Sequence, residues 1–130
     1  MTTMRIVLCG VALLVAGSLP ASAQTLNPNH YQCYLIKTEP FEPREVRLVD
    51  QFGRATVKVI VPEWLCTPTK KNNEKLTDKT THLLCYRIEG GLLAGKNVQL
   101  KNQFGKLKGF VEQSQLLCVP TLKKVITTQP

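Results

Sequence analysis

Val46-Arg47-Leu48-Val49-Asp50-Gln51-Phe52-Gly53 returns 52 residues later as Val98-Gln99-Leu100-Lys101-Asn102-Gln103-Phe104-Gly105. Extending the shift both ways aligns residues 30–71 with 82–123 without a gap and gives 15 identities in 42 positions. Besides Gln-Phe-Gly, the matches include His30/His82, Cys33/Cys85, Tyr34/Tyr86, Cys66/Cys118 and Pro68/Pro120. The chain therefore holds an internal duplication, and the fold must be read as two copies of one unit.

Within the quoted stretch Val46 and Leu48 fall on one face, and Glu45, Arg47 and Val49 on the other. A period of two is that of a half-buried strand. Asp50-Gln51-Phe52-Gly53 and Asn102-Gln103-Phe104-Gly105 read as turns. Glycine tolerates positive φ, and an Asp or Asn side chain can hydrogen-bond the turn backbone. Alternation resumes through Val57, Val59 and Val61, so each copy should contain a hairpin. Residues 30–37, rich in aromatic and β-branched side chains, read as an earlier strand. Pro40 and Pro43 break it, and Pro62 is expected to end regular pairing. No segment shows a helical period. Three strands per copy predict about six in all. Neither copy can bury both faces alone. The expectation is a small all-β, disulfide-bonded sandwich or barrel in which the repeats are related by a pseudo-twofold, with Phe52 and Phe104 as plugs beside their turns.

Residues 1–23 read as a secretory signal peptide: Arg5 in a short n-region, an apolar run over 6–19, and Ala21-Ser22-Ala23 before the cleavage point. The run is short for a transmembrane span. Residues 24–130 are expected to be one domain with repeat one at 30–71, a linker at 72–81, repeat two at 82–123 and a tail at 124–130 that adds an edge strand through Val125 and Ile126 or frays. No second apolar span occurs in them, so export to the periplasm or the medium is the expected address. Cys9 leaves with the signal. Cys33, Cys66, Cys85 and Cys118 remain, an even count that predicts two disulfides in an oxidising compartment. The repeat favours Cys33–Cys66 with Cys85–Cys118, because each copy then closes on itself. Cys33–Cys118 with Cys66–Cys85 also respects a twofold and stays open.

His30-x-x-Cys33 and His82-x-x-Cys85 invite a zinc reading. Residues three apart on a strand point to opposite faces, and the compartment favours disulfides, so no metal and no cofactor is expected. Each histidine is expected to cap or pack at a strand start. Catalytic groups are scarce. Ser114 is the sole serine after the signal and aligns with Pro62, and no acidic residue recurs at an equivalent position, so no catalytic residue is assigned and no enzyme is expected. Net charge is +8, of which Arg5 carries one. Basic residues recur at Arg44/Lys96, Arg54/Lys106 and Lys71/Lys123. Arg44, Arg54, Lys96 and Lys106 are therefore candidates for binding an anionic partner such as a surface glycan, lipid headgroup or nucleic acid. A merely solvated basic surface is the competing account. Aromatic residues are too few among the bases for a nucleic-acid stacking platform.

The pattern Cys-Tyr-x-Ile, Val-x-Leu-x-(Asp/Asn)-Gln-Phe-Gly, then Leu-Cys-x-Pro resembles a family of uncharacterised bacterial exported domains in which similar units recur in tandem. The resemblance covers nearly all of 30–123. It implies a disulfide-bonded extracytoplasmic β domain and carries over no catalytic residue. The chain is thus expected to be an exported, non-enzymatic binding or structural module, or alternatively a polyanion-binding protein, with a small hydrolase ranked third.

Overall fold

The structure, a computed structural model, describes residues 10, 12–17 and 29–126. The proposed cleavage after Ala23 and the end of the tail, 127–130, lie outside the described residues.

Among the described residues all regular structure is β. Copy one contributes β1 (His30–Leu35), β2 (Arg44–Asp50) and β3 (Gly53–Thr69); copy two contributes β4 (His82–Glu89), β5 (Leu93–Asn102), β6 (Gly105–Gln113) and β7 (Leu116–Thr121). Seven strands replace the expected six because the third strand of copy two is interrupted at Ser114 and Gln115. Its counterpart β3 runs unbroken through Pro62 and Glu63, contrary to the expectation that Pro62 ends pairing. Irregularities between Val59 and Val61 and between Pro62 and Trp64 absorb the proline, since a bulge removes the demand for a ladder N–H at that point. Residues 122–126 form no strand.

Every pairing is antiparallel. Five strands form one sheet along β1-β3-β4-β7, with β2 also on β3; β5 and β6 form a separate two-stranded ribbon. The first part of β3 pairs with β2, from Asp50↔Gly53 to Arg44↔Val59, and its second part with β1, from Leu35↔Trp64 to His30↔Thr69. The copies join edge to edge through β3 and β4.

This order overturns the expected pseudo-twofold. Copy one supplies β1 then the second part of β3; copy two supplies their equivalents β4 then β7, in the same sequence across the sheet and in the same directions. A dyad would reverse the order. The repeats are instead related by a shift of two strands along the hydrogen-bonding direction. Among the described residues the path ends at β1 and at β7, so the sheet they form is open.

The turns carry the local chemistry of the quoted stretch. Asp50 Oδ1 accepts the Phe52 N–H at 2.8 Å, and Asn102 Oδ1 accepts the Phe104 N–H at 2.9 Å. Gly53 and Gly105 adopt φ of 144° and 126°. The positive φ disfavours a side chain at Gly53, and a Cβ there would also require the Leu92 methyl 3.0 Å away to give by a few tenths of an ångström.

Buried Val57, Val59 and Ile88 make the core, ringed by Phe41, Val46, Leu48, Ala55, Tyr86 and Leu117. Because Ile88, Tyr86 and Leu117 belong to copy two, the hairpin of copy one is buried by the copy after it. Burial of such side chains contributes about 1.5–3 kcal/mol each. On the opposite face the disulfides are Cys33–Cys66 and Cys85–Cys118. Each joins directly opposed residues of neighbouring strands, Cys33↔Cys66 and Cys85↔Cys118. Cys66 Sγ lies 3.9 Å from Cys85 Sγ, so four sulfurs form a row across β1, β3, β4 and β7.

Candidate functional site

The four recurring basic residues divide between two hairpins and, within each, between two faces. Directly opposed residues of antiparallel strands share a face. Arg44 is opposite Val59, on the inner, apolar face of β2–β3, where its guanidinium lies 5.3 Å from the Phe41 ring centroid. Arg54 is opposite Val49, on the outer face with Arg47 and Lys58. Lys96 is opposite Val111, on the face of β5–β6 that carries Val98, Leu100 and Leu107. Lys106 is opposite Lys101, on the other face, with Lys108 two residues along. Shared positions in the repeat therefore select Arg44 with Lys96 and Arg54 with Lys106 as equivalents, but do not gather them. The structure groups Lys101, Lys106 and Lys108. Neither Lys101 nor Lys108 aligns with a base in copy one, so repeat matching missed both; the period of two in residues 101–108 held the signal.

The two hairpins also point opposite ways. The tip of β2–β3 lies beyond the Glu89 end of β4, where Gly53 meets Leu92. The tip of β5–β6 lies toward the His82 end, at Lys71 and Glu74. There Gln103 Nε2 donates to Glu74 Oε1 at 2.9 Å, the Lys71 ammonium donates to Gln103 Oε1, and Lys71 Nζ stands 5.0 Å from the Phe104 ring centroid. His30 Nε2 is 2.6 Å from Glu74 Oε2. Burial raises the Glu74 pKa, but the hydrogen bonds from His30 and Gln103 and the Lys71 charge outweigh it, leaving the carboxyl below its ordinary value. The linker is ordered as well: Asp78 Oδ1 accepts the N–H groups of Thr80 and Thr81 at 2.9 and 3.0 Å. Hydrogen bonds from Thr81 and then Thr80 hold the Asp78 carboxyl well below the usual carboxylate range. His82 is buried, with Nδ1 3.0 Å from the Thr80 carbonyl oxygen. Among the described residues the four cysteines are all in disulfides, so none of them offers a thiolate to a metal.

Cavities lie between the copies. One of about 220 Å³ is walled by Leu48, Ala55, Val57, Ile88, Leu92 and Leu117, with Ser114 and Asp50 at its border. Asp50 is its one ionisable lining residue, and that carboxylate accepts the Phe52 N–H. A second, about 360 Å³, is lined by Phe41, Val46, Val59, Tyr86, Leu117 and Val119, with Arg44 as its one charge. Phe41 and Tyr86 pack with ring centroids 5.2 Å apart, bridging the copies. The geometry is that of mainly apolar grooves, one bordered by a carboxylate and the other by a guanidinium.

No protein-family model, no curated protein and no solved structure matches the chain. Among the described residues no helix is long and apolar enough to cross a membrane, and this together with the two disulfides is compatible with an exported protein.

Proposed function

We propose that the chain is an exported, non-enzymatic binding or structural module acting in the periplasm or the medium. The observation that carries this reading is the character of the inter-copy grooves, which are mainly apolar, with Asp50 and Ser114 at the border of one and Arg44 as the single charge of the other. The row of disulfides supports it, because cross-linking suits a small domain held in an oxidising compartment. The resemblance to exported domain repeats points the same way. Non-reducing peptide mapping of the exported protein tests the export half. A chain beginning at Gln24, crosslinked 33 to 66 and 85 to 118 without free thiol, supports it; recovery of reduced, uncleaved chain from the cytosol overturns it. Covalent labelling of Ser114 by a serine-directed fluorophosphonate would overturn the non-enzymatic half.

A second reading is polyanion binding, favoured by Lys101, Lys106 and Lys108 on one face of β5–β6. Contacts of that kind weaken steeply with salt, so retention on heparin well beyond about 0.15 M salt supports it and elution below that counts against it.

A further inference from the structure

The copies meet through unlike edges, the outer edge of β3 and the outer edge of β4, rather than through a shared one. Such a head-to-tail junction leaves the equivalents of both edges open at the ends of the sheet. The equivalent of the β4 edge is β1; the equivalent of the β3 edge is β7 with β6. Among the described residues no strand pairs with either. Exposure follows position rather than sequence. Cys66 and Cys85, at the junction, are buried, whereas their equivalents Cys118 and Cys33, at the ends, are exposed. Phe41 packs on Tyr86 across the junction, whereas their equivalents Leu93 and Tyr34 are 71% and 51% exposed. The β1 and β7 edges lack the usual defences, although β6 carries Lys106, Lys108 and Glu112. β1 has no proline, lysine or acidic residue, and the single proline of β7, Pro120, lies beyond the stretch equivalent to the junction.

We propose that a second copy of this chain docks head to tail, its β1 pairing with the open edge of β7 as β4 pairs with β3. The junction fixes the register. Trp64↔Cys85, Leu65↔Leu84 and Cys66↔Leu83 become Leu116↔Cys33, Leu117↔Gln32 and Cys118↔Tyr31 of the incoming copy. Leu93 then covers the incoming Tyr34. For the full junction β6 rejoins β7 across Ser114 and Gln115, as β3 is continuous across Pro62 and Glu63, and the apolar face of β5–β6 covers the incoming Ile36. The proposal names the partner of the proposed module and does not depend on export, so each can fail alone.

Backbone direction supplies the test. The Ile36 N–H bonds the Glu63 carbonyl, so by alternation the N–H of Leu35 faces the open side; the Ile88 N–H bonds the Gln115 carbonyl, so the N–H of Leu116 faces away from β4. Leu35→Pro and Leu116→Pro therefore each block one open edge and spare the internal ladder. Sedimentation velocity of the oxidised full-length exported protein should show mass rising with concentration without a closed stoichiometry. Each variant alone should be monomeric, and an equimolar mixture should form a dimer and stop. A wild type that stays monomeric or closes as a dimer overturns the proposal, as does self-association of Leu35→Pro or a mixture that forms no complex. Where a proline variant loses its disulfides, Tyr34→Glu replaces it: association about tenfold weaker or more supports the proposal, and unchanged association overturns it.

Discussion

The hairpins β2–β3 and β5–β6 share a turn, a strand period and a common ancestry, yet one is core and the other is surface. Val57 is 1% exposed in the first; in the second its equivalent is Gly109, and the neighbouring Leu107 is 65% exposed. Phe52 is half-buried, whereas Phe104 is 87% exposed and meets a lysine instead of a core. They are not plugs of the same kind. The turn chemistry is equal in both, so it cannot be the cause. What differs is the neighbour. β2–β3 is succeeded by a copy whose Ile88, Tyr86 and Leu117 cover it, and β5–β6 leaves the sheet at Ser114, where no proline-bearing bulge carries the strand onward. Gly91 belongs to this departure, because a Cβ there would lie 2.1 Å from the Ser114 carbonyl oxygen, which no small adjustment relieves. Local sequence makes a hairpin; the next unit in line decides whether it is buried.

The largest test of this contrast is the disulfides. Replacing Cys33 and Cys66 by alanine, or Cys85 and Cys118, should each lower stability by about 3–4 kcal/mol in chemical denaturation, the chain-entropy value for a loop of this size. Because the copies share the β3–β4 ladder, the unfolding transition should stay single in both; two separated transitions would show that the copies fold independently.

Smaller and sharper is a pair of truncations. Val57→Ala removes wholly buried methyl groups and should cost about 2 kcal/mol, whereas Leu107→Ala on the equivalent face should stay within about 0.5 kcal/mol. Equal costs would mean that β5–β6 is covered in solution.

The tip contact is smaller again. Phe104→Ala removes an exposed cation–π contact worth about 0.5–1 kcal/mol, and amide exchange at Gln103 should rise severalfold while exchange at Gln51 is unchanged. A rise at both turns would refute a contact particular to copy two.

Acid should act on the linker and least on global stability. Asp78 and Glu74 have folded pKa values below their ordinary 3.8 and 4.5. Their contribution is therefore fully present above those ordinary values and is lost as pH falls through the folded ones. Both are surface groups, so the readout is local: exchange of the Thr80 and Thr81 amides should accelerate as pH falls below about 4, after correction for the intrinsic rate. Protection unchanged down to the acid limit would mean that the carboxylates do not hold the linker.

Much of the fold was legible because the chain states it twice. The alternation of Val46 and Leu48, the Gln-Phe-Gly turns and the cysteine spacing each recur, and recurrence separates signal from accident. The cysteine spacing is compatible with two pairings, and the ladder decides between them by setting Cys33 opposite Cys66. Strand order was not legible. An alignment of 30–71 with 82–123 is equally compatible with a dyad and with a shift, since the choice rests on the long-range pairing of Val59 with Ile88. Pro62 misled because its effect depends on bulges whose residues carry no special mark. Of the candidate site, the basic character was visible but its grouping was not: matching bases between copies selected Arg44, Arg54, Lys96 and Lys106, which belong to four different faces.

The two-strand shift between copies sets a length. Neighbouring strands lie about 4.8 Å apart, so equivalent atoms in successive units recur about every 10 Å along the sheet, turned by some 40–50° through the natural twist. The molecule is in that sense a short segment of a shallow screw. Its pitch is fixed by the peptide backbone and is indifferent to which side chains each turn displays.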